Sequence, residues 1–147
     1  MKRVVLAVVA ATALLVTAGG VAAKTSSGAV VKVRSTSLGK IVVDARGRTL
    51  YLFEKDKGGR SACSGQCAKF WPPLITSGKP RASAGVKASL LGTTRRSDGR
   101  MQVTYAGHPL YRYLDDKAPG QTKGEGSKFF GASWYVLAPS GKKIDKD

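Results

Sequence analysis

The stretch GKIVVDARGRTLYLFEKDK, residues 39–57, returns without a gap as GRMQVTYAGHPLYRYLDDK, residues 99–117. At a shift of 60 the copies share Gly39/Gly99, Val43/Val103, Gly47/Gly107, Leu50/Leu110, Tyr51/Tyr111, Asp56/Asp116 and Lys57/Lys117. A turn glycine, an aromatic strand and a closing aspartate that recur together mark one structural unit used twice. Two copies predict a pseudo-symmetric fold.

Within the first copy, Lys40 to Val43 reads as a strand, Asp44 to Gly47 as a turn and Arg48 to Phe53 as the returning strand. Gly47 and Gly107 supply the positive φ that a short hairpin needs, so both hairpins are expected to look alike. Tyr51 and Phe53 correspond to Tyr111 and Tyr113, whereas Leu52 becomes Arg112, which places that position at the periphery. Alternation puts Tyr51 and Phe53 on one face and Leu50 and Leu52 on the other. Leu50 and Leu110 are also matched, so both faces need cover, and a small sheet or partly closed barrel with the aromatics inside follows.

Each copy then enters a glycine-rich loop and ends on aromatics, Lys69 to Leu74 in one and Lys128 to Leu137 in the other. Two alignments compete: Lys69-Phe70 fits Lys128-Phe129 at a shift of 59, while Trp71 and Leu74 fit Trp134 and Leu137 at 63. Pro72-Pro73 excludes an ordinary central strand, but Trp134 to Leu137 suits one. The expected fold is mainly β, with room for a small α+β variant, as two pseudo-symmetric β-hairpin repeats (39–75 and 99–139) packed in a single domain, 38–140. A basic linker with one apolar cluster, Ala88 to Leu91, joins them. Residues 24–37 read as a flexible leader whose Val30, Val31 and Val33 add an edge strand, and 141–147 as a frayed tail.

Lys2 and Arg3, thirteen uncharged residues from Val4 to Val16, Gly19-Gly20 and Val21-Ala22-Ala23 have the layout of a signal peptide, with cleavage expected after Ala23. The run is short for a membrane span, so no transmembrane segment is expected after cleavage. Loss of Lys2 and Arg3 takes the formal charge from +16 to +14. From Lys57 to Ser97 there is no acid at all, and Arg60, Lys69, Lys79, Arg81, Lys87, Arg95 and Arg96 are the candidate anion-binding residues. Outside the cytoplasm their partners would be anionic envelope polymers or lipid headgroups, without specific nucleic-acid recognition. The competing reading is that the charge serves solubility alone. A monomer is expected.

Cys63 and Cys67, an even pair in an exported chain, read as a disulfide that pins a local turn. Their spacing, and the lack of a β-α-β pattern before them, set them apart from thioredoxin-like sites. Asp56 and Asp116, at the mouths of glycine-containing loops, read as acceptors for loop N–H groups. The alternative is a carboxylate pair holding a hard cation with Asp115, Glu54 or Glu125. Tyr51, Phe53, Tyr111 and Tyr113 read as core in preference to a sugar groove; Trp71 and Trp134, beside Lys69 and Lys128, are the better groove candidates, with burial still the preferred reading for both. His108, the single histidine, is expected on the surface of a turn. No catalytic residue, metal site or cofactor is assigned, and no Gly-x-Ser-x-Gly or paired-acid signature supports a hydrolase.

Tyr51-Leu52-Phe53-Glu54-Lys55-Asp56 and Tyr111-Arg112-Tyr113-Leu114-Asp115-Asp116 both fit Tyr-x-(Phe/Trp/Tyr)-x-x-Asp. With Asp44 to Leu50, the Cys63/Cys67 to Leu74 run and Gly107-His108-Pro109-Leu110, residues 38 to 139 resemble the bacterial family called secreted repeat of unknown function, also described as predicted lipoproteins. The resemblance implies an exported envelope protein of tandem repeats and brings no established activity. No lipobox cysteine is present, which favours release or peripheral attachment. The expected function is an exported, non-catalytic binding or structural module of the cell envelope that associates through a basic surface with anionic polymers. The alternative is a thiol-redox or electron-handling accessory protein using Cys63 and Cys67.

Overall fold

The computed structural model describes residues 7, 10–20 and 27–146. Lys2, Arg3 and the expected cleavage point after Ala23 lie outside the described residues, as does Asp147. Strands Val30–Thr36 (β1) and Gly39–Asp44 (β2) form a hairpin, Tyr51–Phe53 (β3) returns from it, and Gln66–Phe70 (α1) is a short helix. Arg81–Ala82 (β4) follows, then Leu91–Arg95 (β5), Met101–Tyr105 (β6), His108–Pro109 (β7) and Trp134–Val136 (β8). They pair as β2-β1-β4, β3-β8 and β5-β6-β7, a mainly β protein of two repeats.

The repeat starts earlier than residue 39. The stretch expected as a flexible leader contains β1, which is the central strand of its sheet and not an edge. Val31 is buried while Lys32 and Arg34 face solvent, so the scattered charges belong to the outer face of a half-buried strand. Its counterpart β5 lies in the stretch expected as a linker, where a 3-10 turn, Ala88–Leu90, leads into it. Nor is the tail frayed at its start: Ile144 N–H donates to Val136 O at 2.8 Å, and Ile144 packs against the aromatic core.

The two hairpins differ by compensating single residues. β1 and β2 are joined by a two-residue turn inside the Thr36↔Gly39 pair, and β5 and β6 by a three-residue turn, 97–99, inside an Arg96 N–H to Arg100 O bond that follows the Arg95↔Met101 pair. After β2 the order reverses: Ala45-Arg46-Gly47 is a three-residue turn, whereas Ala106-Gly107 is a two-residue turn with φ of 50° and 81°. Positive φ at both central positions is the type I′ geometry that matches strand twist. Within the strand, Val42 and not Val43 is therefore the equivalent of Val103: Leu50 N–H donates to Val42 O, and Leu110 N–H to Val103 O.

The copies interlock. Tyr51 N–H donates to Tyr111 O at 2.8 Å and Tyr111 N–H to Tyr51 O at 3.1 Å, so the pseudo-two-fold axis passes between the two motif tyrosines. The closing strand of each copy pairs with the return strand of the other. Tyr51 pairs with Val136 on β8, and Tyr111 with Pro73. Leu137 O accepts Val42 N–H from the first copy, and Leu74 O accepts Val103 N–H from the second. These equivalences support the shift of 63 for Trp71/Trp134 and Leu74/Leu137. Pro72-Pro73 is tolerated because this closing strand needs acceptors there: Pro72 O receives Arg112 N–H at 2.8 Å.

Both faces of the return strands are covered. Leu50, Leu52, Leu110, Val42, Val103 and Leu137 pack on one side, and Tyr51, Phe53, Tyr111, Trp71 and Trp134 on the other. Leu52 is only 3% exposed, contrary to the peripheral placement expected from its exchange with Arg112. The exchange works because Arg112 is half-exposed and its Nε donates to Asp44 Oδ2 at 2.6 Å.

Candidate functional site

The Tyr-x-(Phe/Trp/Tyr)-x-x-Asp motif closes across the pseudo-two-fold axis. Tyr51 Oη donates to Asp116 Oδ2 at 2.6 Å, and Tyr111 Oη donates to Asp56 Oδ2 at 2.8 Å. Each motif tyrosine therefore holds the aspartate of the other copy. The remaining oxygen of each carboxylate takes a loop N–H: Ala62 to Asp56 Oδ1 at 2.7 Å, and Lys123 to Asp116 Oδ1 at 2.9 Å. Four carboxylate oxygens with four donors match the loop-fixing reading. The acids grouped with them for a cation site have other partners: Glu54 pairs with Lys143, Glu125 Oε2 accepts Val136 N–H, and Asp115 meets the Tyr113 hydroxyl. Among the described residues no cluster of three or more acids, histidines or cysteines could hold a metal ion.

Burial dominates the electrostatics of the clasps. It pushes the Asp56 carboxyl up to about 6, against the opposing pull of Ala62 N–H, Tyr111 Oη and Arg96, and it raises Asp116 as well. Both tyrosine hydroxyls are driven far above their usual range, first by burial and then by the carboxylates they face. They act as permanent donors.

Beside the clasps runs a column of four rings drawn alternately from the two copies. Phe53 stacks on Trp134 at 3.9 Å, Trp134 on Trp71 at 3.9 Å, and Trp71 on Tyr113 at 4.2 Å. Tyr51 and Tyr111 meet Trp71 and Trp134 edge-on at 5.3 and 5.1 Å. Both tryptophans are fully buried and form this column's centre, so their faces do not form an open groove. The symmetry breaks at the indole nitrogens: Trp134 Nε1 donates to Phe129 O at 3.0 Å, while Trp71 Nε1 has no partner among the described residues. Gly124 is held tight against the column, since a Cβ there would lie 2.7 Å from Trp71 Cη2.

The sequence profile of a family described as a secreted repeat of unknown function matches residues 32–75 and again 92–138. The chain belongs to this family. Both matched segments begin inside the hairpins that start with β1 and β5, and each carries one motif tyrosine and its aspartate. No curated protein and no solved structure matches the chain. Family members are secreted repeats, and the Cys63–Cys67 disulfide of this one fits an exported chain.

The candidate anion-binding residues separate into two kinds. Arg60, Lys69, Lys79, Arg81, Lys87 and Arg95 are exposed. Arg96 is only 5% exposed and serves the interior: its guanidinium donates to Ser61 Oγ, Gln102 Oε1 and Cys63 O. The acid-free run cannot reveal this, because the hydrogen-bond acceptors that hold Arg96 are neutral and its ion pair, with Asp98 at 3.9 Å, comes from just beyond the run. Missed in turn were Arg46, Arg48 and Arg112, which line a cleft of about 520 Å³ together with Asp44. Their only sequence signal was Arg46-Gly-Arg48 in a turn, and Arg112 arrives there from the other copy. His108 is half-buried in β7, not fully at the surface, and burial lowers its pKa.

Proposed function

We propose that this exported module is a non-catalytic binding or structural component of the cell envelope, held to anionic polymers through its basic surface. One observation carries the reading: the fold turns its acids inward or pairs them, while every described lysine, and every described arginine other than Arg48, Arg96 and Arg112, stays exposed. Asp44, Asp56, Asp116 and Glu125 all accept backbone N–H groups. Asp98 is spent on Arg100, and Glu54 on Lys143. Arg60, Lys69, Lys79, Arg81, Lys87 and Arg95 remain exposed to meet an anionic partner. The thiol-redox alternative fares less well, since Cys63 is fully buried and Cys67 nearly so, leaving an attacking thiolate little access.

The test is binding of the mature protein to isolated cell envelopes over a range of salt. Electrostatic association to a polyanion weakens steeply as salt rises. Binding that is absent, or unchanged by salt, contradicts the proposal.

A further inference from the structure

Among the described residues the large apolar side chains left exposed fall in two places: Leu14, Leu15 and Val16 near the N-terminus, and Phe70, Leu114, Phe129 and Phe130. The second group comes from distant parts of the chain, and the fold gathers it into one patch. Leu114 N–H donates to Phe70 O at 2.8 Å, and the rings of Phe70 and Phe130 lie 6.0 Å apart. Phe70, Phe129 and Phe130 share with Trp71, Tyr113 and Asp115 the walls of a recess of about 270 Å³. Phe130 is held at φ of 62°, a conformation that a bulky residue rarely adopts. An apolar patch so gathered and so constrained marks an interaction surface.

Its surroundings select the partner. Exposed Lys69 and Lys128 immediately precede Phe70 and Phe129, and Lys55 Nζ lies 3.8 Å from where a Gly131 Cβ would sit, one residue beyond Phe130. Aromatic and leucine side chains with lysines beside them are the pattern of a surface that enters the headgroup boundary of an anionic bilayer, the rings going into the apolar layer and the ammonium groups meeting phosphates. Asp115 is the acid among the lining residues and lies on the recess wall. We infer that Phe70, Leu114, Phe129 and Phe130 form a membrane-docking face that seats the protein on anionic lipid. The inference rests on the basic-module reading above and names the lipid surface as a partner.

The experiment compares binding of the mature protein to phosphatidylglycerol vesicles, to phosphatidylcholine vesicles and to a soluble polyanion, heparin. The variant is Phe129→Ser with Phe130→Asn, chosen because Phe129 is 57% exposed and asparagine tolerates the φ of position 130. Phe129→Ser alone provides a second variant with minimal effect on folding. The parent is expected to bind phosphatidylglycerol vesicles well above phosphatidylcholine. The double variant should lose partitioning roughly tenfold per phenylalanine and keep its salt-sensitive retention on heparin. Equal vesicle binding by parent and both variants overturns the docking face. So does a parent that is retained on heparin and ignores vesicles. A parent that binds neither overturns the basic-module reading as well.

Discussion

Replacing Tyr51 by phenylalanine removes one oxygen atom and leaves two buried groups without a partner. Asp116 Oδ2 loses its 2.6 Å donor, and Gly124 N–H loses the acceptor it meets at 3.2 Å. A hydrogen bond to a charged group contributes about 1.5–3 kcal/mol, and a buried orphan adds its own desolvation cost, so Tyr51→Phe should destabilise by about 2–4 kcal/mol. Tyr111→Phe should cost less, about 1–2 kcal/mol, because half-buried Asp56 can take water in place of the lost donor, and Ser61 Oγ, the other partner of the Tyr111 hydroxyl, keeps Arg96 and Cys63 N–H. The decisive assay is a set of double-mutant cycles with Asp116→Asn and Asp56→Asn, read by urea unfolding. Tyr51 should couple to Asp116 by about 1–3 kcal/mol and Tyr111 to Asp56 less strongly, while the within-motif pairs Tyr51/Asp56 and Tyr111/Asp116 should be additive. Coupling that is larger within a motif than across the axis refutes the reciprocal clasp.

Three further outcomes are expected. Because burial raises the folded-state pKa of Asp56 to about 6 and that of Asp116 in the same direction, protonation favours the folded state and stability should rise as the pH falls through 6 toward 4. Burial of His108 works the other way over part of this window, so the comparison of urea midpoints at about pH 7.5 and about pH 5 belongs in a His108→Gln background; a lower midpoint at acid pH contradicts the assignment. Gly124→Ala drives a methyl to 2.7 Å from Trp71 and should cost about 1–3 kcal/mol by thermal melting, whereas Gly126→Ser, whose Cβ meets open space, should cost only what its φ of 71° imposes; equal small losses mean the column can yield. A single cleavage engineered in the connection between Ser83 and Val86 should leave the halves joined on gel filtration, since each closing strand pairs with the other copy, and two separating folded halves would rule out the exchange.

The repeat, its two hairpins and the inward-facing aromatics were legible because they depend on local chemistry: alternation along Tyr51-Leu52-Phe53, and positive φ at Gly47 and Gly107. The exchange of closing strands was not, because Tyr51 has Asp56 within its own motif and Asp116 in the identical motif of the other copy, and sequence spacing does not distinguish them. The one-residue offset between Val42 and Val103 was hidden by a gapless alignment whose two turn-length changes cancel. Leu52 and Arg112 show that equivalent positions carry different chemistry when only one of them has an acid, Asp44, to meet. Arg96 teaches the same lesson for charge: a run of basic residues reports net charge, while burial depends on acceptors such as Gln102 and Cys63 O that belong to other strands and loops. The Phe70, Leu114, Phe129 and Phe130 patch is assembled from three segments, so no window of sequence contains it.

The interlocked arrangement rests on the two halves meeting at their tryptophans, and the chain has only two, Trp71 and Trp134. Proton NMR on the folded protein reads this directly, since nuclear Overhauser contacts report rings that touch. Stacked rings 3.9 Å apart should give cross-peaks between the indole protons of Trp71 and Trp134, with Trp134 also reaching Phe53 and Trp71 reaching Tyr113. Tryptophans that instead contact only rings of their own copy, Trp71 with Phe53 and Trp134 with Tyr113, would contradict it.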